Sequence, residues 1–400
     1  MDKNCDLSCR RNKVGGQAVI EGVMMKNGEE VCLAMRRENG CVDVSKSKFV
    51  SVRKKHKWLN IPLLRGVIGF IESLVLSFKT INKSTEVLEL DDDKDDGEKK
   101  KSSGGLSAIL MIFSMVIGIG LAVLLFMWLP GTLTSLLERL TGTLNRYLKA
   151  AIEGVLKIII FIAYMLIVSL MKDIRRVFEY HGAEHKSIAC YEAGMELTPE
   201  NAKKCTRFHP RCGTSFMFVM LIIGIFTGML IPVWDNMLLR SAIKLAILPV
   251  VVGIGYEFIM FAGKHDNLFT KIFSAPGIWM QRITTREPDE KQLAIAISAI
   301  KSSMPEEFPD FDPSEYDIDV EDNREHIGFT GMKKKDIEDR IEKLKEERRI
   351  MAEEKTLSAV ESSENTDTSS EICAEISEST ETTEITEASE AAENEDKGNN

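Results

Sequence analysis

The chain is 400 residues long, 44% apolar and 28% charged, with a formal net charge of −10. Length alone would allow two or three domains, but the apolar residues gather in four blocks and the charge in the flanks, which excludes a single globular body. The negative charge is also local: residues 355–400 hold 13 Asp and Glu against two Lys, so the rest of the chain is close to neutral and no nucleic-acid partner is expected.

The opening MDKNCDLSCRRNKVGG lacks an apolar core, so no cleavable signal peptide is expected. Residues 1–60 read as a small cytoplasmic β unit, with QAVIEGVMM, EVCLAMRR and CVDVS as short extended runs. Asn27-Gly28 and Asn39-Gly40 are the dipeptides that tight hairpin turns favour. Gly15-Gly16 permits close backbone approach to a neighbour, and without a GxGxxG pattern or a Lys-Ser/Thr pair it is no nucleotide loop. Residues 61–82 have helical spacing but contain Arg65 and Glu72, which favours an interfacial or re-entrant helix over a further span. The charged run 91–105 reads as a solvated linker.

Residues 106–263 form the membrane domain, with spans at about 106–130, 155–171, 216–234 and 241–263. Runs of about 17–25 apolar residues match the hydrocarbon thickness a helix must cross, and LSAILMIFSMVIGIGLAVLLFMWLP carries no charge at all. The connection 172–213 holds eight Lys and Arg against four in 130–157. Positive charge stays inside, so that connection and both termini are expected to be cytoplasmic in a multi-pass cell-membrane protein. Disulfides are then not expected among the eight cysteines. Residues 264–301 read as interfacial and cytoplasmic helices, with a turn at Pro276-Gly277 and Thr285 as cap of the last one. An acidic linker follows (302–331), then a charged helix (332–355) and a disordered acidic tail (356–400). The helix or the tail is the expected contact for a protein partner. The fold class expected is a four-helix membrane bundle with a small N-terminal β unit.

The chemistry concentrates in the second connection. His181-Gly-Ala-Glu184-His185 places two imidazoles one helical turn apart with a carboxylate between them, the five-residue string of inverted zincins. Two His ligands, a bound water of lowered pKa and a carboxylate that takes its proton make up zinc-hydrolase chemistry. RFHPRCGTSF follows at 207–216, with His209 and Cys212 spaced as ligands of one ion. Three of six histidines and three of eight cysteines, counting Cys190 and Cys205, fall within residues 181–212. Cys212 stands at the expected start of the third span, where the helix dipole favours thiolate. Glu257, inside the fourth span, is expected to line or support the pocket, and Glu21 to line it from the β unit. His265 and Asp266 stand at the membrane exit, where they could approach the same pocket. Lys186, Arg207 and Arg211 would hold an anionic group of the substrate, such as a lipid head group.

GGQAVIEGVMM, IPLLRG, EYHGAEHKSI, RFHPRCGTSF and PGIWMQRITTREPD, in that order, resemble the YqhQ-like family of bacterial multi-pass membrane proteins, a group of unknown function also described as predicted metal-dependent enzymes. The resemblance covers roughly residues 13–301. It implies an integral membrane location and a metal site carried by His181, Glu184, His185, His209 and Cys212.

The preferred expectation is a zinc-dependent hydrolase at the cytoplasmic membrane surface, with His181, His185, His209 and Cys212 as ligands and Glu184 as general base. Four protein ligands would close the coordination sphere, so a scaffold pinned by structural zinc is the alternative. A small transporter built on Glu257 is the weakest of the three.

Overall fold

The computed structural model describes residues 13–92, 104–209, 211–230, 237–264, 267–323 and 338–353. The chain divides into two compact units, residues 1–318 and 319–400. In the first, strands β1 (Val14–Val19), β2 (Gly22–Asn27), β3 (Glu30–Arg36) and β4 (Val42–Lys48) form an antiparallel meander in chain order. Its helices are α1 (Leu64–Asp92), α2 (Gly104–Val123), α3 (Leu129–Thr141), α4 (Arg146–Val168), α5 (Lys172–Glu192), α6 (Pro199–Lys204), α7 (Gly213–Leu230), α8 (Met237–Lys264), α9 (Leu268–Thr284) and α10 (Glu290–Ser302).

The sheet is buried on both faces, which explains why β2 and β3 read as nearly unbroken apolar runs rather than alternating ones. Val23, Met25 and Ala34 join the core that α5 and α10 build, while Met24, Val31, Leu33 and Met35 pack with Val87 and Leu76 of α1. Ile20-Glu21 is the turn between β1 and β2, with Glu21 at φ 53. The second turn falls one residue later than the Asn27-Gly28 signal. Asn27 pairs with Glu30, so Gly28 (φ 61) takes the left-handed first turn position and Glu29 the second. The Asn39-Gly40 corner spans residues 37–41, with Asn39 Oδ1 accepting from the Cys41 N–H.

Four helical stretches are long and apolar enough to cross a membrane: Phe113–Thr141, Arg146–Val168, Gly213–Leu230 and Ser241–Phe261. The first passes its expected end at 130. Pro130 has no N–H to donate, and one widened π turn at Leu124–Trp128 carries the helix into α3. The second begins at Arg146 rather than 155. The expected connection 130–157 therefore shrinks to 142–145, where Asn145 caps α4 through the Tyr147 N–H. Lys157, read from the sequence as a connection charge, lies inside α4. There the buried Glu153 bonds Lys157 at 3.0 Å and also Lys244 of α8.

Other boundaries moved for local reasons. The helix expected at 61–82 continues to Asp92 and takes in the first residues of the linker expected at 91–105. Pro276-Gly277 lies within α9 rather than at a turn, and Gly277 brings α9 so near α7 that a Cβ there would stand 2.7 Å from Ser215 Cα. Thr285 closes α9, and α10 starts only at Glu290, capped reciprocally by Asp289 and Gln292. Pro288 disfavours helical backbone before it. Residues of the expected acidic linker pack on the sheet: Phe308 and Tyr316 join the α5–α10 core, and Asp317 accepts from the Val42 N–H at 2.7 Å. In the second unit, 338–353 is helical and buries Ile341 and Leu344 with Val320. The acidic tail 356–400 falls outside the described residues.

Removing the carboxylate between two ammonium groups in an apolar bundle leaves like charges facing each other. Glu153→Gln should destabilise the detergent-solubilised protein by about 3 kcal/mol. Glu153→Gln combined with Lys157→Met should recover part of that loss in thermal unfolding.

Candidate metal centre

Helix α5 leaves the end of α4 and carries His181 and His185 on one face, their ring centroids 4.4 Å apart. Cys212 sits where the chain enters α7, its carbonyl accepting from the Phe216 N–H to close the first helical turn. The ligand atoms of His181, His185 and Cys212 all lie within 4.8 Å of one another, and His181 Nε2 is 3.2 Å from Cys212 Sγ.

Two backbone carbonyls aim the rings. His181 Nδ1 is 2.8 Å from Thr284 O and His185 Nδ1 is 2.6 Å from Arg207 O. A carbonyl only accepts, so each Nδ1 carries the hydrogen, and in the neutral ring Nε2 keeps the lone pair a metal needs. The Thr284 carbonyl reaches His181 because the chain beyond α9 crosses α5 at Gly182. The Arg286 N–H donates to Phe178 O at 2.8 Å, and a Cβ on Gly182 would stand 1.9 Å from Arg286 O.

Glu184 is buried beside this cluster and lines the same cavity, of about 920 Å³. β1 packs on it without a side chain: a Cβ on Gly16 would fall 2.8 Å from Glu184 Cγ. Burial raises the Glu184 carboxyl above the usual carboxylate range, and His185 and His181 pull it partly back. Burial works against charge on His181, but the facing Cys212 outweighs it and lifts the imidazole to about 9. Burial likewise opposes charge on Cys212, and His181 and then His185 overcome it, holding the thiol well below its ordinary value. Both shifts favour a thiolate–imidazolium pair in the metal-free site.

His209, expected as a ligand, stands next to the cluster rather than in it. Its ring centroid is 5.6 Å from that of His185, and its Nε2 accepts from Arg211 Nη2 at 3.1 Å, with Glu192 Oε2 at 3.7 Å. Gln281, fully buried on α9, fixes this loop. Its Nε2 donates to His209 O and Ser215 Oγ, and its Oε1 accepts from the His209 N–H. Arg211 lines the cavity while bonded to Glu192.

The remaining sequence candidates serve the frame. Glu257 takes a bidentate bond from Arg65, with Nε at 2.7 Å, and also accepts from the Leu63 N–H, so it anchors the start of α1 instead of lining the cavity. Glu21 is held by Arg176 and by Tyr180 Oη, which ties the β1–β2 turn to α5. Lys186 and Arg207 both pair with Glu287. They are committed to the segment between α9 and α10, not presented to the cavity. His265 and Asp266 lie outside the described residues. Sequence reasoning missed Thr284, Gln281 and Gly182. The ring-holding groups at 284 and 207 are backbone carbonyls, which leave no side-chain signature, whereas the buried, hydrogen-bonded setting of Gln281 emerges only once α7 and α9 are packed.

The family model described as "Protein of unknown function (DUF1385)" matches residues 61–306, more than half of the chain, and the protein belongs to that family. The matched stretch holds the whole His–Cys cluster and Glu184, while the sheet precedes it. Within that class the chain is similar to "Uncharacterized protein YqhQ" of Bacillus subtilis (strain 168), with 38% identity over 302 residues, 72% of this chain and 92% of the relative. No solved structure matches.

The thiolate can be followed by its ultraviolet absorption in metal-free protein. Because the Cys212 pKa is lowered, the signal should already be present at pH 7 and fade only as the pH drops well below the ordinary thiol range. His181→Gln removes the largest stabilising partner, so the midpoint should move up towards that range, and Cys212→Ser should remove the transition.

Proposed function

We propose that this protein is a membrane-embedded, zinc-dependent hydrolase whose site lies at the cytoplasmic foot of the helical bundle. The reading rests on one observation: three ligand atoms converge at the wall of a large cavity, with a buried carboxylate of raised pKa beside them and the fourth candidate, His209, turned to Arg211. Three protein ligands with an open position characterise catalytic zinc sites, and four characterise structural ones. That favours hydrolysis over the scaffold reading. Mixed imidazole and thiolate donors suit zinc among the available divalent ions.

Bound there, zinc would supply Lewis acidity and a water acidified towards neutrality. His181 and His185 would hold it through Nε2, each ring kept in place by its backbone carbonyl, with Cys212 as the third donor. Glu184 would take the proton of the attacking water, and its raised pKa brings it nearer to the pH at which it must later give that proton up. Arg211 stands at the cavity wall as a donor for charge developing on the substrate oxygen.

The membrane setting is supported by the connections. Residues 142–145 and 231–236 contain no Lys or Arg, whereas 172–213 contains eight, an asymmetry that supports a cytoplasmic position for the site end.

Protein purified in detergent should carry about one zinc per chain. His185→Ala should lose it. Glu184→Gln should keep both fold and zinc yet lower hydrolysis of a panel of amides and esters by at least about a hundredfold. Equal, negligible zinc in wild type and His185→Ala would overturn the proposal, as would undiminished hydrolysis by Glu184→Gln.

A further inference from the structure

β1 is the edge strand of the sheet and pairs with β2 alone. Val19 and Gly22 close a two-residue hairpin, so they exchange both backbone bonds, and by alternation Gln17 and Gly15 also bond inward. The N–H and C=O groups of Val14, Gly16 and Ala18 therefore point away from the sheet. Among the described residues none of these outward groups is bonded. This open edge runs along the cavity lined by the His–Cys cluster, with residues 14–18 forming part of its wall. Open edges are normally covered or blunted. Here the edge carries two glycines, the residue type that lets another backbone come close, and the space beyond Gly15 is empty.

The rest of the cavity is mostly apolar. Phe70 and Leu74 of α1, Phe216 of α7, and Tyr256 and Met260 of α8 line it. Leu74 and Met260 are also exposed on the outer surface, where Ile71, Leu74, Val75 and Phe78 form an apolar stripe along α1. α7 and the Ser241–Phe261 part of α8 are long and apolar enough to lie in a bilayer, and with these helices in a membrane the mouth past Leu74 would face lipid rather than water.

We infer that the substrate is an extended, apolar peptide segment that enters from the membrane and adds to β1 as a fifth strand. This deepens and rests on the hydrolase reading. Added strands gain affinity from backbone hydrogen bonds and selectivity from pockets for alternate side chains, and the cavity offers both beside Glu184. The reaction is peptide hydrolysis. Water oxygen bonds to the carbonyl carbon, the C–N bond breaks, and Glu184 carries the water proton to the departing amine nitrogen, with water as the only co-reactant.

The test is binding, measured with the full-length Glu184→Gln protein in micelles and a dansyl-labelled peptide of roughly eight residues alternating leucine and alanine, long enough to span the edge. Methylating the backbone nitrogens of one alternate set should weaken binding about tenfold or more, and methylating the other set should leave it nearly unchanged. Ala18→Pro removes one outward N–H and keeps the β1–β2 ladder, so it should weaken the same peptide with zinc content retained. If Ala18→Pro fails to fold, the methylated pair decides alone. Equal affinity for both methylated sets would overturn the inference, and so would displacement of the peptide by a single-chain phospholipid that wild-type protein hydrolyses. Alternating methyl sensitivity without cleavage by wild-type protein would uphold the strand site and count against the hydrolase reading. Loss of peptide binding with zinc and Glu184-dependent hydrolysis intact would do the reverse.

Discussion

Two backbone carbonyls, Thr284 O and Arg207 O, determine what His181 and His185 can do. Each takes the Nδ1 hydrogen of one ring, and the opposite nitrogen is thereby aimed at Cys212. Without them, two imidazoles one turn apart on a helix would be free to rotate, and the thiolate would face no fixed partner. A ligand set held this way loses little conformational freedom when a cation arrives, which is the physical meaning of a pre-organised site.

The rest of the first unit can be understood as what holds those carbonyls in place. Gly182 lets the α9–α10 connection cross α5, and Pro288 keeps that connection extended until Asp289 can cap α10. Gln281 joins α9 to the backbone at His209 and to Ser215 at the head of α7. Glu257, Glu21, Lys186 and Arg207, expected in the pocket, do comparable work at a distance through ion pairs. Arg65 and Glu257 pin α1 to α8, Arg176 and Glu21 pin the β1–β2 turn to α5, and Glu287 gathers Lys186 and Arg207. The sheet, buried on both faces, presents one glycine-rich edge to the same cavity. Membrane-type helices and a soluble-type core therefore meet at the site, each supplying part of its wall.

The apolar blocks and the HxxEH spacing made four long helices and the His181–His185 pair legible from the residues alone, because helical period and lipid-length runs are local properties. Cys212 was legible for the same reason, as a thiol at the start of an apolar helix. His209 was read as a ligand from its distance in sequence to Cys212, but spacing in a loop does not fix direction, and Arg211 and Glu192 turn its Nε2 aside. Glu257 looked like a pocket group because a carboxylate in an apolar helix needs a partner. That partner is Arg65, nearly two hundred residues earlier, a pairing that only packing reveals. Lys157 was counted with the connection because the second span was expected to begin at about 155, whereas α4 starts at Arg146.

The claim on which the account turns is that three side chains, and not four, hold the cation. X-ray absorption at the zinc edge of the purified protein measures this directly, since sulfur and nitrogen or oxygen donors sit at about 2.3 and 2.0 Å respectively. The account requires one sulfur and three lighter donors in wild type, with the same spectrum in His209→Ala because the fourth donor is water. Loss of an imidazole shell in His209→Ala, or a spectrum without sulfur, would contradict it.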